Sequence, residues 1–168
     1  MKDLYVSWDE YNRLIEKLAV RVWDSGWEFD AIVCLARGGL RIGDVMSRVF
    51  DKPLGVMFTS SYREQAGTVQ STLQISECMS SAQALPGTRW LLVDDLADSG
   101  ATLQEIMPEL KRRFPQLEEL RSAVLWQKGA SVAIPDYLME VLPTNPWIHQ
   151  PFEEYDHMRP DDLKARWG

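Results

Sequence analysis

The run Ala31 to Ala36, AIVCLA, limits the folds open to this chain more than any other segment. It contains no polar side chain, and apolar runs this short belong to strands covered on both faces, as in parallel sheets. The run breaks at RGGL, and a helical pattern resumes over Ile42 to Phe50. Leu54 to Phe58, Arg89 to Val93, Leu120 to Trp126 and Tyr137 to Leu142 read as further strands. Thr102 to Phe114 reads as a helix that Pro108 should kink or end early. Near the start, Ser7 and Glu10 have capping-box spacing. Tyr11, Leu14, Ile15, Leu18, Ala19 and Val22 then form one helical face, with Gly26 as its stop. Strand and helix alternate, which predicts an α/β fold, a mainly parallel twisted sheet flanked by helices.

From Thr59 to Gly87 the periodicity gives way to Ser, Gln, Thr and Gly, which predicts a mobile functional loop or a hairpin of its own. No repeat or linker divides the rest, so a single domain over 1–168 is expected. Cys34 lies inside an apolar run far from Cys78, which predicts a free buried thiol in a reducing compartment. No apolar run has the length of a membrane span and no signal-peptide core opens the chain, so a cytoplasmic protein without integral membrane association is expected. A formal charge of −7, with no cluster of Lys and Arg, argues against unassisted binding to nucleic acid.

Chemistry concentrates in WLLVDDLADSGATL, Trp90 to Leu103. An apolar strand runs into Asp94 and Asp95, then Asp98, where mutual repulsion serves no fold. A Gly-bearing turn that opens a helix leaves backbone N–H groups aimed outward with the helix dipole behind them. That cradle suits a phosphomonoester at Ser99, Gly100, Ala101 and Thr102, with two hydroxyls as added donors. The plainer alternative is that Asp98 or Ser99 caps the helix. Capping leaves Asp94 and Asp95 unexplained. Carboxylates do not bind phosphate directly, so the pair needs a divalent cation or a vicinal diol whose hydroxyls donate to it. A diol beside a phosphate describes a ribose 5-phosphate. In RGGL, glycines let amides approach an anion and Arg37 can fork two donors onto a diphosphate, although a turn with a surface Arg would read the same. No Walker A pattern or dinucleotide fingerprint competes.

VDDLADSGATL closely resembles the signature of type I phosphoribosyltransferases, ARGGL resembles their pyrophosphate loop, and SSYR falls where their flexible hood carries a Ser-Tyr pair. The resemblance runs from about the first helix to about Glu153. It implies that Asp94 and Asp95 hold ribose hydroxyls, directly or through metal, while Ser99 to Thr102 hold the 5-phosphate. It assigns Arg37, Gly38, Gly39, Ser61 and Tyr62 to pyrophosphate and implies an Ala36–Arg37 peptide that is strained or cis. Mg²⁺ would arrive with 5-phosphoribosyl 1-diphosphate, the purine base would be the other small-molecule substrate, and a homodimer or homotetramer is implied by analogy. The hood, about 59–87, departs from the family pattern in carrying Arg63 as the sole basic residue between Pro53 and Thr88. Catalysis is expected from Asp98 as the purine's proton acceptor, with Arg37 and Arg63 stabilising the departing diphosphate.

The base-binding region is expected over about 126–156. WQK and PWIHQPFE look most like the small bacterial xanthine-guanine and hypoxanthine enzymes. Lys128 would meet the 6-oxo group of a purine, Trp147 would stack on the ring and Ile148 would lend backbone groups to its edge. His149 stands where close relatives carry an acid, which leaves the preference among guanine, xanthine and hypoxanthine open. Two other readings remain: transfer to another nucleobase or small amine, and a non-catalytic regulatory protein on the same fold. The tail HMRPDDLKARWG ends in a short amphipathic segment with Trp167, which would pack on a neighbour or fray.

Overall fold

The computed structural model describes residues 3–61 and 73–168. In chain order its elements are β1 (Leu4–Tyr5), α1 (Trp8–Asp24), β2 (Ala31–Ala36), α2 (Leu40–Phe50), β3 (Leu54–Ser61), β4 (Leu73–Ser81), β5 (Arg89–Ala97), α3 (Ala101–Arg113), β6 (Glu119–Lys128), β7 (Tyr137–Leu142), β8 (Ile148–His149), α4 (Glu154–His157) and α5 (Pro160–Trp167). Six strands form one sheet in the order β4-β3-β2-β5-β6-β7. All neighbours run parallel except the antiparallel β3–β4 edge.

The apolar run at Ala31–Ala36 is buried at every position because helices cover both faces of β2. On one face, Tyr11, Ile15, Leu18 and Val22 of α1 and Ile42 and Met46 of α2 pack on Ile32, Cys34, Leu91 and Val93. On the other, Leu103, Ile106 and Leu110 of α3 pack on Val33, Leu35, Leu92 and Val124. The capping box forms as its spacing predicts: the Ser7 amide donates to Glu10 Oε2 at 2.9 Å, and the Glu10 amide donates to Ser7 Oγ at 3.2 Å. Cys34 and Cys78 are both free, the first buried and the second exposed. Burial pushes the Cys34 thiol up to about 11.

Several elements differ from their sequence expectation. Pro108 does not end α3, which runs through it to Arg113. The ring lies on the exposed side of the helix, where water can meet the carbonyl that loses its amide partner. By contrast, the hairpin alternative holds within the region where periodicity failed: Leu73–Ser81 is a strand pairing back on β3. β5 continues to Ala97, which places Asp94 and Asp95 inside the strand, not after it. β1 and β8 form a separate parallel pair that joins the N-terminus to the segment around Ile148. The tail closes in the exposed helix α5, with Trp167 81% exposed. No helix among the described residues is long and apolar enough to cross a membrane.

The sheet order places the site. From β2 the chain passes through α2 to β3 on one side; from β5 it passes through α3 to β6 on the other. The loops leaving β2 and β5 therefore diverge at the carboxyl ends of two adjacent strands, and the crevice between them is where open α/β sheets take ligands.

Candidate active site

Two glycines let the loop after β2 lie against β5. A Cβ on Gly39 would sit 2.6 Å from the Val93 carbonyl oxygen and 2.8 Å from that of Leu35; one on Gly38 would strike the Asp95 carboxyl group. No side chain larger than hydrogen fits either place without displacing something. The Ala36–Arg37 peptide is cis, in keeping with the sequence expectation. Arg37 is exposed and forms an ion pair with Asp156 of α4 at 3.3 Å.

Asp94 and Asp95 sit half-buried near the end of β5. The Asp95 amide donates to Asp94 Oδ1 at 2.9 Å. Burial, and then the neighbouring Asp95 charge, push the Asp94 carboxyl well above the usual carboxylate range. Its folded value is raised, so its stabilising contribution is complete below the ordinary aspartate value and is lost as pH rises through the raised one. Asp94→Asn should therefore melt higher than wild type, with a gap that widens as pH rises above the ordinary aspartate value of about 4. Thermal unfolding as a function of pH measures it, and an unchanged gap would contradict the assignment.

The turn into α3 is built around Gly100, whose φ of 80° is left-handed. The same residue faces the segment after β6, since an added Cβ would meet Ala133 N at 2.5 Å and Ser131 Oγ at 2.6 Å. The helix ladder begins with the Gln104 amide donating to the Gly100 carbonyl at 3.1 Å. Amides ahead of it emerge from the helix end. One of them is already engaged: Ser99 Oγ accepts from the Ala101 amide at 3.3 Å. Ser99 thus shapes the turn as well as lining it.

Parallel pairing of β5 with β6 sets Ala97 opposite Gln127, which brings Lys128 level with Asp98. Lys128 is only 6% exposed, and its Nζ lies 3.2 Å from Asp98 Oδ1. A buried ammonium requires a partner, and this one has a carboxylate at the mouth of the crevice. The strands thus join two residues that the sequence placed in different subsites.

Trp147 is exposed and Ile148 buried. β1 takes the carbonyls on either side of Ile148: the Leu4 amide donates to Trp147 at 2.9 Å and the Val6 amide to His149 at 3.0 Å. By strand alternation the N–H and C=O of Ile148 face the opposite way. His149 Nε2 lies 3.1 Å from Asp3 Oδ2, and its ring stacks on Tyr5 at 4.2 Å. Gln150, which sequence reasoning passed over, donates from its side-chain amide to Asp95 Oδ2. Asp3, Tyr5 and Asp156 were passed over too, because each meets the site across a long stretch of chain. Ser61 ends β3; Tyr62 and Arg63 lie outside the described residues. Elsewhere, a cavity of about 690 Å³ lined by Trp23, Trp27, Phe29 and Arg89 lies at the amino ends of the strands, away from these residues.

Residues 7–157 match the family model described as phosphoribosyl transferase domain. The chain belongs to that family. It is 26% identical over 157 residues to a xanthine-guanine phosphoribosyltransferase of Idiomarina loihiensis, covering 93% of this chain and 90% of the relative. Identity to another of that name from Nitratidesulfovibrio vulgaris is 28% over 149 residues, 88% of this chain and 83% of the relative. A purine phosphoribosyltransferase structure from Pyrococcus horikoshii superposes with a TM-score of 0.75 at 29% identity, covering 95% of this chain and 99% of that one. The xanthine-guanine-hypoxanthine phosphoribosyltransferase of Helicobacter pylori gives 0.76 at 25%, over 98% and 99%. The mainly parallel sheet and its flanking helices are those of the phosphoribosyltransferase fold, and the glycine loop, acid pair and helix turn stand around one crevice within it.

Proposed function

We propose that this phosphoribosyltransferase moves the 5-phosphoribosyl group from 5-phosphoribosyl 1-diphosphate to a 6-oxopurine, releasing pyrophosphate, in purine salvage. The observation that carries the reading is the buried Lys128 held 3.2 Å from Asp98 at the crevice mouth. An ammonium there can donate to a 6-oxo group while the carboxylate beside it accepts a proton from the ring. The names of the similar enzymes support the same substrate class.

In this reading the amides around Ser99 to Thr102 hold the 5-phosphate, and Asp94 and Asp95 take the ribose hydroxyls. Gly38 and Gly39 let the loop approach the diphosphate, with Arg37 donating to it. The bond from C1 to the diphosphate oxygen breaks as the bond from C1 to a purine nitrogen forms. Asp98 accepts the purine proton, and positive charge developing on the sugar lies close to the acid pair. Trp147 stacks on the purine, and the outward N–H and C=O of Ile148 meet its edge. Ser61 and Tyr62 would bind the diphosphate, and Arg63 would stabilise it as it leaves.

The adjacent oxygens of Asp94 and Asp95 fit a hard cation: like charges side by side are relieved by one, and two carboxylates leave most of a six-oxygen shell to substrate and water. Mg²⁺ bound there with the diphosphate would neutralise charge on the leaving group.

The test is an assay of guanine, xanthine, hypoxanthine, adenine and uracil with 5-phosphoribosyl 1-diphosphate, with Mg²⁺ and with a chelator. Turnover confined to the first three, and abolished by chelator, is expected. Lys128→Ala should lower kcat/KM for those purines about 10- to 100-fold, since a charged hydrogen bond is lost. Unchanged turnover in that variant, or preference for uracil or a small amine, would contradict the proposal.

A further inference from the structure

We propose that Gln150 is a positioning residue for phosphoribosyl transfer: its buried amide orients the Asp95 carboxylate and ties the segment bearing Trp147 and Ile148 to the ribose-facing acids. The inference rests on the reading of Asp95 as a ribose ligand. Gln150 is 7% exposed, and its Nε2 donates to Asp95 Oδ2. A carboxylate only accepts, so the amide must present its NH₂ to Asp95. The carbonyl Oε1 then turns into the interior, where it has no partner among the described residues. A buried acceptor left in that state weakens a fold. An apolar side chain of similar length would avoid the penalty; what the amide adds among the described residues is its bond to Asp95.

Both ends of that bond are fixed. Asp95 is confined on its other side by Gly38, where the missing Cβ leaves room for the carboxyl group. The backbone of Gln150 is held because its carbonyl accepts from the Glu153 amide at 3.0 Å, and the preceding His149 carbonyl accepts from Val6 at 3.0 Å. Two residues on, the Phe152 ring lies 5.7 Å from that of Tyr11 and 4.3 Å from the Arg41 guanidinium. Gln150 cannot follow Asp95 if the carboxylate swings; it can only stop it swinging. Donation to one oxygen leaves the remaining lone pairs aimed for sugar hydroxyls.

Replacing the amide by a carboxyl makes this dependence visible through pH. Among the described residues, the charged or titratable groups around the pair are Asp94 on β5, Tyr11 on α1, Arg41 on α2, His149 and Glu153 on Gln150's own segment, and Asp156 on α4. In Gln150→Glu, the new carboxyl when protonated can donate to Asp95 as the amide does; when ionised it repels Asp95. The experiment measures the affinity of inosine 5′-monophosphate by calorimetry, at acid and alkaline pH, for wild type, Gln150→Met, Gln150→Glu and Asp95→Asn. Gln150→Met should bind about tenfold more weakly than wild type at either pH, with KM raised for 5-phosphoribosyl 1-diphosphate and little changed for hypoxanthine. Gln150→Glu should bind almost as wild type at acid pH and lose affinity on going to alkaline pH, beyond any change in wild type. That comparison is made within one folded sample. Wild-type affinity in both Gln150 variants, with loss in Asp95→Asn, would overturn this proposal alone. Wild-type affinity in Asp95→Asn would overturn the ribose-site reading and this proposal with it.

Discussion

Asp98→Asn is expected to lower kcat by about 10²- to 10⁴-fold, with KM for 5-phosphoribosyl 1-diphosphate close to wild type. Asp98 is exposed on the strand side of the crevice, 3.2 Å from Lys128 Nζ. Asparagine preserves the shape and can still accept from Lys128 through its amide oxygen. It cannot take a proton from a purine nitrogen at neutral pH. The turn opening α3 does not depend on the Asp98 side chain, because its geometry is set by Gly100 and by Ser99 Oγ accepting from the Ala101 amide. Steady-state kinetics with hypoxanthine separates the two effects. A loss of only a few-fold in kcat would mean that Asp98 serves to hold Lys128 and has no part in proton transfer.

Gly38→Ala should reduce kcat/KM about a hundredfold, the scale on which a misplacement near 1 Å acts on positioned reactants. The added methyl occupies the space now filled by the Asp95 carboxyl group. The carboxyl must rotate away, and the bond from Gln150 is lost with it. The fold should survive, because the clash is with a side-chain end; at Gly39 it would be with the backbone of β2 and β5. If the damage passes through Asp95, affinity for inosine 5′-monophosphate falls too, although that ligand has no diphosphate. Loss of activity with intact nucleotide binding would instead place the fault in pyrophosphate contacts.

What was legible in the sequence was local. AIVCLA announced a strand buried on both faces, and Ser7 with Glu10 announced a helix start, because each signal lies within a few residues. The same holds for the Gly38–Gly39 loop and for Asp94 to Thr102: the groups that each segment brings to the crevice are neighbours in the chain. Two-residue strands such as β1 and β8 carry no period to detect, and their pairing spans most of the chain. That α3 runs on past Pro108 was not legible, because propensity says nothing of whether the ring faces water. The meeting of Lys128 with Asp98 depends on the register of β5 against β6, and that of Gln150 with Asp95 on the path of the segment after β7. A lone glutamine between histidine and proline gives no sign of either its burial or its partner.

The central claim is that the acids near the end of β5 and the turn opening α3 hold one sugar phosphate between them. A crystal structure with inosine 5′-monophosphate tests it most directly. The account predicts the phosphate on the amides of residues 99–102, the ribose hydroxyls on Asp94 and Asp95, and the 6-oxo group at Lys128. A nucleotide seated elsewhere, such as the cavity beside Trp27, with this crevice vacant, would contradict it.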